Sequence, residues 1–312
     1  MTATDTARAG WLAWRREGIG ASDVAAILGI SPWASPWSVW ADKLGLLPEQ
    51  AEDEYMAAGR WLERAIGPWF EHETGLTVAG EQTWCTHREH AHHRCTVDGF
   101  VFEGPAPVFP NEVRVLDNAL GCFEVKVTGP GRRWEELPAH YQAQGQWQMH
   151  VTDLERVWFA VLMGRRLDIH ELERDQADID LMVERVDDFW HDHVVTAVPP
   201  DTDGSDATAH ALAAVYPEHT PGTSVAFDDY GNVLINWVAA KRRKRDAETD
   251  EKEATNAIRA YLGAAEEGTV GGQRIVTLRS QTRTTTCKHC GATDTSEPFR
   301  VLRQTTPKEQ KP

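Results

Sequence analysis

The chain has 312 residues, with 32 Lys and Arg against 48 Asp and Glu and hence a formal charge of −16. Hydrophobic residues at 41% and charged residues at 26% are ordinary globular usage, which excludes a disordered chain, a collagen-like chain or a coiled-coil rod and leaves enough sequence for about two domains. The acidic balance excludes wholesale coating of nucleic acid, and no run approaches the roughly 18 apolar residues that cross a bilayer, so a soluble, unexported protein without a membrane partner is expected.

In chain order, two short helices come first. In ASDVAAILGI, Ser22 reads as an N-cap and Gly29 as a stop; in SPWSVWADKLG, Ser35 caps, Pro36 fits the first turn and Gly45 terminates. A longer helix is predicted over residues 53–73, with Tyr55, Leu62, Ile66, Trp69 and Phe70 forming an apolar stripe. Strands are predicted at 95–102, 121–127, 156–163 and 166–172, each rich in branched or aromatic residues. A helix beginning near Pro138 separates the second strand from the third, and a helix over 175–195 follows the fourth, its Ile179, Met182, Val186, Phe189 and Trp190 facing the core. This order predicts an α/β layer with a central mixed sheet flanked by helices.

Of the 13 tryptophans only Trp237 lies beyond Trp190, so the core domain is placed at 8–198. Pro199 and Pro200 followed by small polar residues mark 199–225 as a linker. Residues 226–303 then read as a mainly helical extension, with a helix over 232–265 and a short hairpin, and 304–312 as a frayed tail.

The most informative segment is GCFEVKV. Side chains alternate along a strand, so Glu124 and Lys126 share one face while Phe123, Val125 and Val127 take the other. Asp98, inside the apolar CTVDGFVF, is a second carboxylate that needs a partner in a half-buried strand. Two acids and a lysine on neighbouring strands make a site for a divalent ion between Asp98 and Glu124, with Lys126 orienting water or neutralising developing charge. Glu63, beside the apolar stripe of the long helix, is a third acid aimed at the sheet. Tyr141, Gln144, Gln148 and Val151 recur on one helix face, where buried glutamines can hold a water or a phosphate oxygen.

These segments together resemble a family. RREGIGASDVAAILGISPWASPWSVWADKLGL, GRWLERAI, TVDGF, EVK and LPAHYQAQGQWQMHVT stand in the order of the YqaJ-type phage recombinases, relatives of lambda exonuclease within the PD-(D/E)xK nuclease superfamily, and cover about residues 10–170. The resemblance implies a PD-(D/E)xK core and a magnesium-dependent exonuclease, with manganese able to substitute, that degrades one strand of linear duplex DNA from its 5′ end by a two-metal mechanism. The 3′ single-stranded tails left behind would serve phage recombination. Residue by residue, it makes Asp98 and Glu124 the metal-binding acids, with Glu63 and the Val125 backbone carbonyl completing the metal shell. Lys126 becomes the catalytic lysine and Gln144 the motif glutamine. Arg15, Ser22 and Thr96 fall at positions that bind the 5′-phosphate. The partners implied are duplex ends, further copies of the chain in a ring-shaped trimer and a single-strand annealing protein, in the cytoplasm of a bacterial host, with a phage or prophage origin. Val97 replaces the proline that names the superfamily. Two other readings stay open: an endonuclease on the same scaffold, and a DNA-binding accessory protein that has lost catalysis.

Weaker signals remain. The five cysteines are odd in number and scattered, which fits a reducing compartment. Cys287 and Cys290 form a C-x-x-C half-site for zinc without a second half nearby. CTHREHAHHRC, residues 85–95, sets His87, His90, His92 and His93 on a strand and its approach, where they read as solvent-facing, with metal binding as the alternative. The KRRKR run at 241–245 reads as a solvated helix face, with a grip on a phosphate backbone or a dock for a partner protein as the alternatives. Duplex would have to run past Arg8, Arg15, Arg16, Arg60, Arg64, Arg132 and Arg133.

Overall fold

A computed structural model of the chain describes residues 3–48, 54–105, 118–129, 133–286 and 290–305. Two compact units divide it, Met1–His219 and Thr220–Pro312.

The first unit opens with helices α1 (Ala3–Arg16), α2 (Ala21–Ile27), α3 (Pro36–Lys43) and α4 (Glu54–Thr74). Strands β1 (Thr77–Ala79), β2 (Thr83–Thr86), β3 (Arg94–Val97), β4 (Gly99–Phe102) and β5 (Gly121–Thr128) follow, then α5 (Ala139–Thr152), β6 (Arg156–Met163), β7 (Arg166–Glu173) and α6 (Gln176–Phe189), which runs on as a π-helical turn to Val195. The central sheet has the order β1-β4-β5-β6-β7, with β5 and β6 parallel and the other neighbours antiparallel. The parallel pair needs a crossover connection, and α5 supplies it. It is the expected central mixed sheet flanked by helices.

The alternation expected of β5 and β6 sorts their side chains between two cores. Cys122, Val157, Phe159 and Val161 join Trp147, Met149 and Val151 of α5. Phe123, Val125, Trp158 and Ala160 join Ile66 and Phe70 of α4 on the opposite face. Glu124 and Lys126 therefore lie on the α5 side. Of the predicted α4 stripe, Ile66 and Phe70 are buried, whereas Leu62 and Trp69 are exposed; the Tyr55 side chain lies outside the described residues. Gly145 sets the spacing of α5, because a Cβ there would meet Leu172 Cδ2 at 2.8 Å and Phe159 Cε2 at 3.0 Å.

Three expectations change. The strand placed at 95–102 is broken at Asp98: β3 pairs with β2 in a two-stranded ribbon, while β4 enters the central sheet. Ser35 caps α3 as expected, accepting from the Ser38 N–H, but the N-cap of α2 is Gly20 rather than Ser22. The Asp23 carboxylate accepts the Gly20 N–H at 3.0 Å, which does the capping from inside the helix. Residues 199–225 are also not merely a linker. Helix α7 (Asp206–Val215) lies against α3, with Thr208 donating to Ser35 Oγ at 2.7 Å and Ala211 joining the core. Its composition looked like a boundary because the apolar face of α7 is made of small residues, alanines above all.

The second unit holds α8 (Gly231–Leu262), close to the predicted helix. Then come β8 (Glu267–Val270), β9 (Gln273–Gln281), β10 (Thr284–Thr286), β11 (Thr293–Thr295) and β12 (Phe299–Gln304). The hairpin gains a third strand, giving the order β12-β9-β8, and β10 pairs with β11. The tail expected at 304–312 lies outside the described residues from 306 onward.

Candidate active site

The break between β3 and β4 leaves Asp98 outside both ladders, free to use its side chain on other groups. Its Oδ2 accepts the Val125 N–H at 2.8 Å and its Oδ1 accepts Gln82 Nε2 at 2.9 Å. Gln82 has φ of 53°, so the turn before β2 is held in a left-handed conformation that delivers this amide.

Glu124 is 5% exposed, and both its oxygens are occupied. Lys126 Nζ and Gln144 Nε2 donate to Oε1 at 2.5 and 2.6 Å, and Gln148 Nε2 donates to Oε2 at 2.7 Å. Gln148 is fully buried and also donates to the Thr96 carbonyl at 3.2 Å. It stands on the helix face that the sequence marked, where its amide was expected to hold a water or a phosphate oxygen; instead it holds the Glu124 carboxylate, as its place one turn after Gln144 allows. Lys126 Nζ lies 4.8 Å from the centre of the Tyr141 ring, a cation–π contact.

Burial, the proximity of Glu124 and the charge of Glu63 push the Asp98 carboxyl up to about 8, against the pull of the Val125 N–H and Lys126. Burial alone would lower the Lys126 pKa, but Glu124 and Asp98 outweigh it and raise it, so Lys126 is a cation and not a base at neutral pH. Acids crowded at one end of the sheet around a single ammonium are a donor set that a hard divalent cation relieves, and their oxygens suit Mg2+ or Mn2+. Asp98, Glu124 and Glu63 therefore fit such an ion. Among the described residues, though, the triads with ligand atoms within 4.8 Å of one another are histidine-based and lie elsewhere.

A cleft of about 220 Å³ joins this centre to the N-terminal helices. Asp98, Glu124 and Gln144 line it together with Arg15, Ser22 and Thr96. Arg15 Nη2 is held by Asp23 at 2.8 Å and its Nε lies 3.9 Å from Asp42. Asp23 in turn pairs with the fully buried Lys43 ammonium at 2.6 Å. Neither Asp23 nor Lys43 stood out in the sequence; only the position of Asp23, three residues after Gly20, hinted at a cap. Ser22, relieved of capping, is exposed at the second helical position. The Thr96 hydroxyl accepts from Trp11 Nε1 at 3.4 Å.

Other expected contacts divide. Cys287 lies outside the described residues, and Cys290 is exposed. Arg132 and the side chain of Arg60 also lie outside them, whereas Arg64 stacks on Trp61 at 4.8 Å and Arg133 pairs with Asp168 at 3.3 Å. The KRRKR run is exposed on α8, where Arg242 and Arg245 each lie 3.7 Å from Asp246. The solvent-facing reading of the histidines is wrong for the cluster's centre: His93 is fully buried, and His150 of α5 joins it at 3.0 Å.

Residues 10–155 match the family model of the YqaJ-like viral recombinase domain. The protein YqaJ of Bacillus subtilis (strain 168) is 28% identical over 277 residues, which cover 86% of this chain and 82% of that protein. Among solved structures, an alkaline exonuclease (LHK-Exo) from Laribacter hongkongensis is 22% identical with a TM-score of 0.46, over 61% of this chain and 93% of that one. A phage related exonuclease from Haemophilus somnus 129PT is 13% identical with a TM-score of 0.42, over 58% and 96%. The family resemblance expected from the motifs is thus met independently by a match to that family model over residues 10–155, which hold those same segments.

Proposed function

We propose that the first unit is a divalent-metal-dependent exonuclease that digests one strand of linear duplex DNA from the 5′ end and leaves 3′ single-stranded tails. The observation that carries this reading is the setting of Glu124: a buried carboxylate held by Lys126, Gln144 and Gln148, beside Asp98, in the same cleft as Arg15 and Ser22. Two cations held by Asp98, Glu124, Glu63 and the Val125 carbonyl would supply the positive charge that polarises a phosphoryl oxygen and lowers the pKa of bound water.

The chain's own groups do the rest. Gln144 and Gln148 fix the rotamer of Glu124, and the Val125 N–H and Gln82 fix that of Asp98. Lys126, kept protonated, orients the attacking water and offsets charge growing on the phosphate. Arg15 and Ser22 take the terminal 5′-phosphate, which draws the neighbouring phosphodiester towards the acids. The same reading carries duplex ends as substrate in a bacterial cytoplasm, a ring-shaped homo-oligomer that threads them and a single-strand annealing protein that receives the tails. No helix among the described residues is long and apolar enough to cross a membrane.

The test is a linear duplex labelled at the 5′ or the 3′ end, incubated with Mg2+ beside a closed circle. Early loss of the 5′ label as mononucleotide, with the circle intact, is expected. Cleavage of the circle would replace this reading by an endonuclease, and no Mg2+-dependent cleavage of any substrate by an accessory protein.

A further inference from the structure

We propose a second metal site, made by residues other than the nuclease acids, in which His87, His93 and His150 bind a borderline divalent cation of the zinc class. One ring nitrogen of each lies within 4.8 Å of the others. Nitrogens on a tetrahedral zinc stand roughly 3.3 Å apart, given Zn–N bonds of about 2.0–2.1 Å. His93 Nδ1 and His150 Nε2 are already 3.0 Å apart, and His87 is stacked on His150 with ring centres 4.5 Å apart, so a turn of the His87 ring that releases the Glu89 and His90 N–H groups from its Nδ1 brings that lone pair into the set and leaves the proton on Nε2.

The arrangement around His93 points to a ligand rather than to a packed core. Asp187 Oδ1 lies 2.9 Å from His93 Nε2 and accepts its N–H, which leaves the Nδ1 lone pair facing His150. A carboxylate behind a histidine in this way fixes the tautomer and orientation that metal-bound imidazoles use. At present a single proton fills the gap between His93 and His150. A cation takes its place when the His150 proton moves from Nε2 to Nδ1, with no net proton lost. Burial lowers His93 to about 4 and His150 to about 3, so both rings are neutral at physiological pH. Three neutral imidazoles suit zinc better than magnesium.

The three ligands come from two parts of the chain. His87 and His93 bracket the turn between β2 and β3, and His150 lies in the last turn of α5, the helix that presents Gln144 and Gln148 to Glu124. A cation there ties the ribbon to that helix, which makes it a structural clamp.

The test uses full-length protein stripped with a chelator and titrated with Co2+ and then Zn2+. In wild type and Asp98→Ala alike, the visible bands of a tetrahedral nitrogen site should saturate with one equivalent of Co2+, whatever the acids of the nuclease site also bind, and without the near-ultraviolet thiolate band that Cys287 and Cys290 would give. Those bands should vanish in His87→Ala and in His150→Gln, and Asp187→Asn should weaken Zn2+ binding by about 10- to 100-fold. His87 is only half-buried and glutamine keeps a hydrogen-bond donor at 150, and circular dichroism checks each fold. Should His150→Gln not fold, His87→Ala and Asp187→Asn decide alone. Absence of the bands from wild type, or their persistence in His87→Ala, overturns the site.

Discussion

Gln148 Nε2 lies 2.7 Å from Glu124 Oε2, one helical turn beyond Gln144, whose amide meets the other oxygen of the same carboxylate at 2.6 Å. Neighbours four apart on a helix share a face, so one element grips both oxygens and prevents the carboxylate from rotating. Gln148→Ala should therefore lower kcat by about 10- to 100-fold, the usual cost of losing a group that orients a metal ligand, while KM for duplex changes little. Steady-state kinetics on a linear duplex checks this, and an unchanged kcat would reduce Gln148 to a packing residue.

A raised carboxyl pKa is a cost to the fold. Asp98 stands near 8 in the native state, against about 4 when unfolded, so its contribution is fully present below pH 4 and is lost as the pH climbs to about 8. The sign follows because the native state holds a proton that the unfolded chain has released. In a chelator, Asp98→Asn should become more stable than wild type as the pH rises from 5 to 8, and Mg2+ should narrow the gap by stabilising wild type alone. Urea denaturation at three pH values measures it; parallel curves would mean that Asp98 is not held protonated.

Period and residue type made much of this legible. The alternation of GCFEVKV placed Glu124 and Lys126 on one face, and the stripe in α5 brought its glutamines to them. The break of the strand at Asp98 had one signal, the Asp98-Gly99 pair of poor strand formers, which the strand-rich residues on either side outweighed; the break itself comes from β3 and β4 pairing with different partners. The burial of His93 and His150 was hidden for a similar reason. They are 57 residues apart, and only the crossing of α5 over the ribbon brings them together. Helix α7 was hidden by its small side chains, which carry little apolar signal yet fit closely against α3.

The Asp23–Lys43 pair, whose carboxylate also holds Arg15, offers a test read in stability rather than in cleavage. Burial opposes ionisation of Asp23, but Lys43, Arg15 and the Gly20 N–H outweigh it and hold its carboxyl far below the ordinary range. The stabilisation is thus present above about pH 4 and is lost as the pH falls towards that depressed value. Asp23→Asn leaves a buried ammonium without its counter-charge and should cost about 3–5 kcal/mol at pH 7, with the gap to wild type shrinking in acid. Denaturant titrations at pH 7 and pH 3 would show it, and a pH-independent gap would assign the cost to capping alone.

The packing of α7 on α3 sets where the chain can be cut. Ending it after Pro200 removes the partner of Ser35 and uncovers α3, whereas ending it after His219 keeps the whole first unit. The longer product should unfold cooperatively and retain metal-dependent cleavage, and the shorter should have a lower Tm. If the KRRKR run grips DNA, removal of the second unit should also flatten the salt dependence of binding, by up to about 0.9 for each phosphate it no longer neutralises. An unchanged slope leaves that run as a solvated helix face.

The end-recognition step is the sharpest test of the proposed activity. Arg15 is held at the cleft by Asp23, with Asp42 at the edge of reach, so its guanidinium is pre-oriented before any DNA arrives. A guanidinium meets phosphate through two directed hydrogen bonds, and Ser22, not needed as a cap, adds a hydroxyl. A 5′-hydroxyl end leaves these donors without their acceptor. The duplex still binds through its backbone, but the scissile bond is no longer drawn towards Asp98 and Glu124, so the rate suffers more than the affinity. Arg15→Ala should slow digestion of 5′-phosphorylated ends and barely alter the already slow hydroxyl ends, collapsing the ratio between them. Because Arg15 also partners Asp23, the loss could come from a loosened helix; Arg15→Lys separates the two causes. Lysine keeps the ion pair but binds phosphate as a point charge, so it should restore stability and recover only part of the ratio. Initial rates on both substrates for the three proteins decide the matter. A wild-type ratio in Arg15→Ala would make this arginine a brace for Asp23 and place the 5′-phosphate contact elsewhere in the cleft.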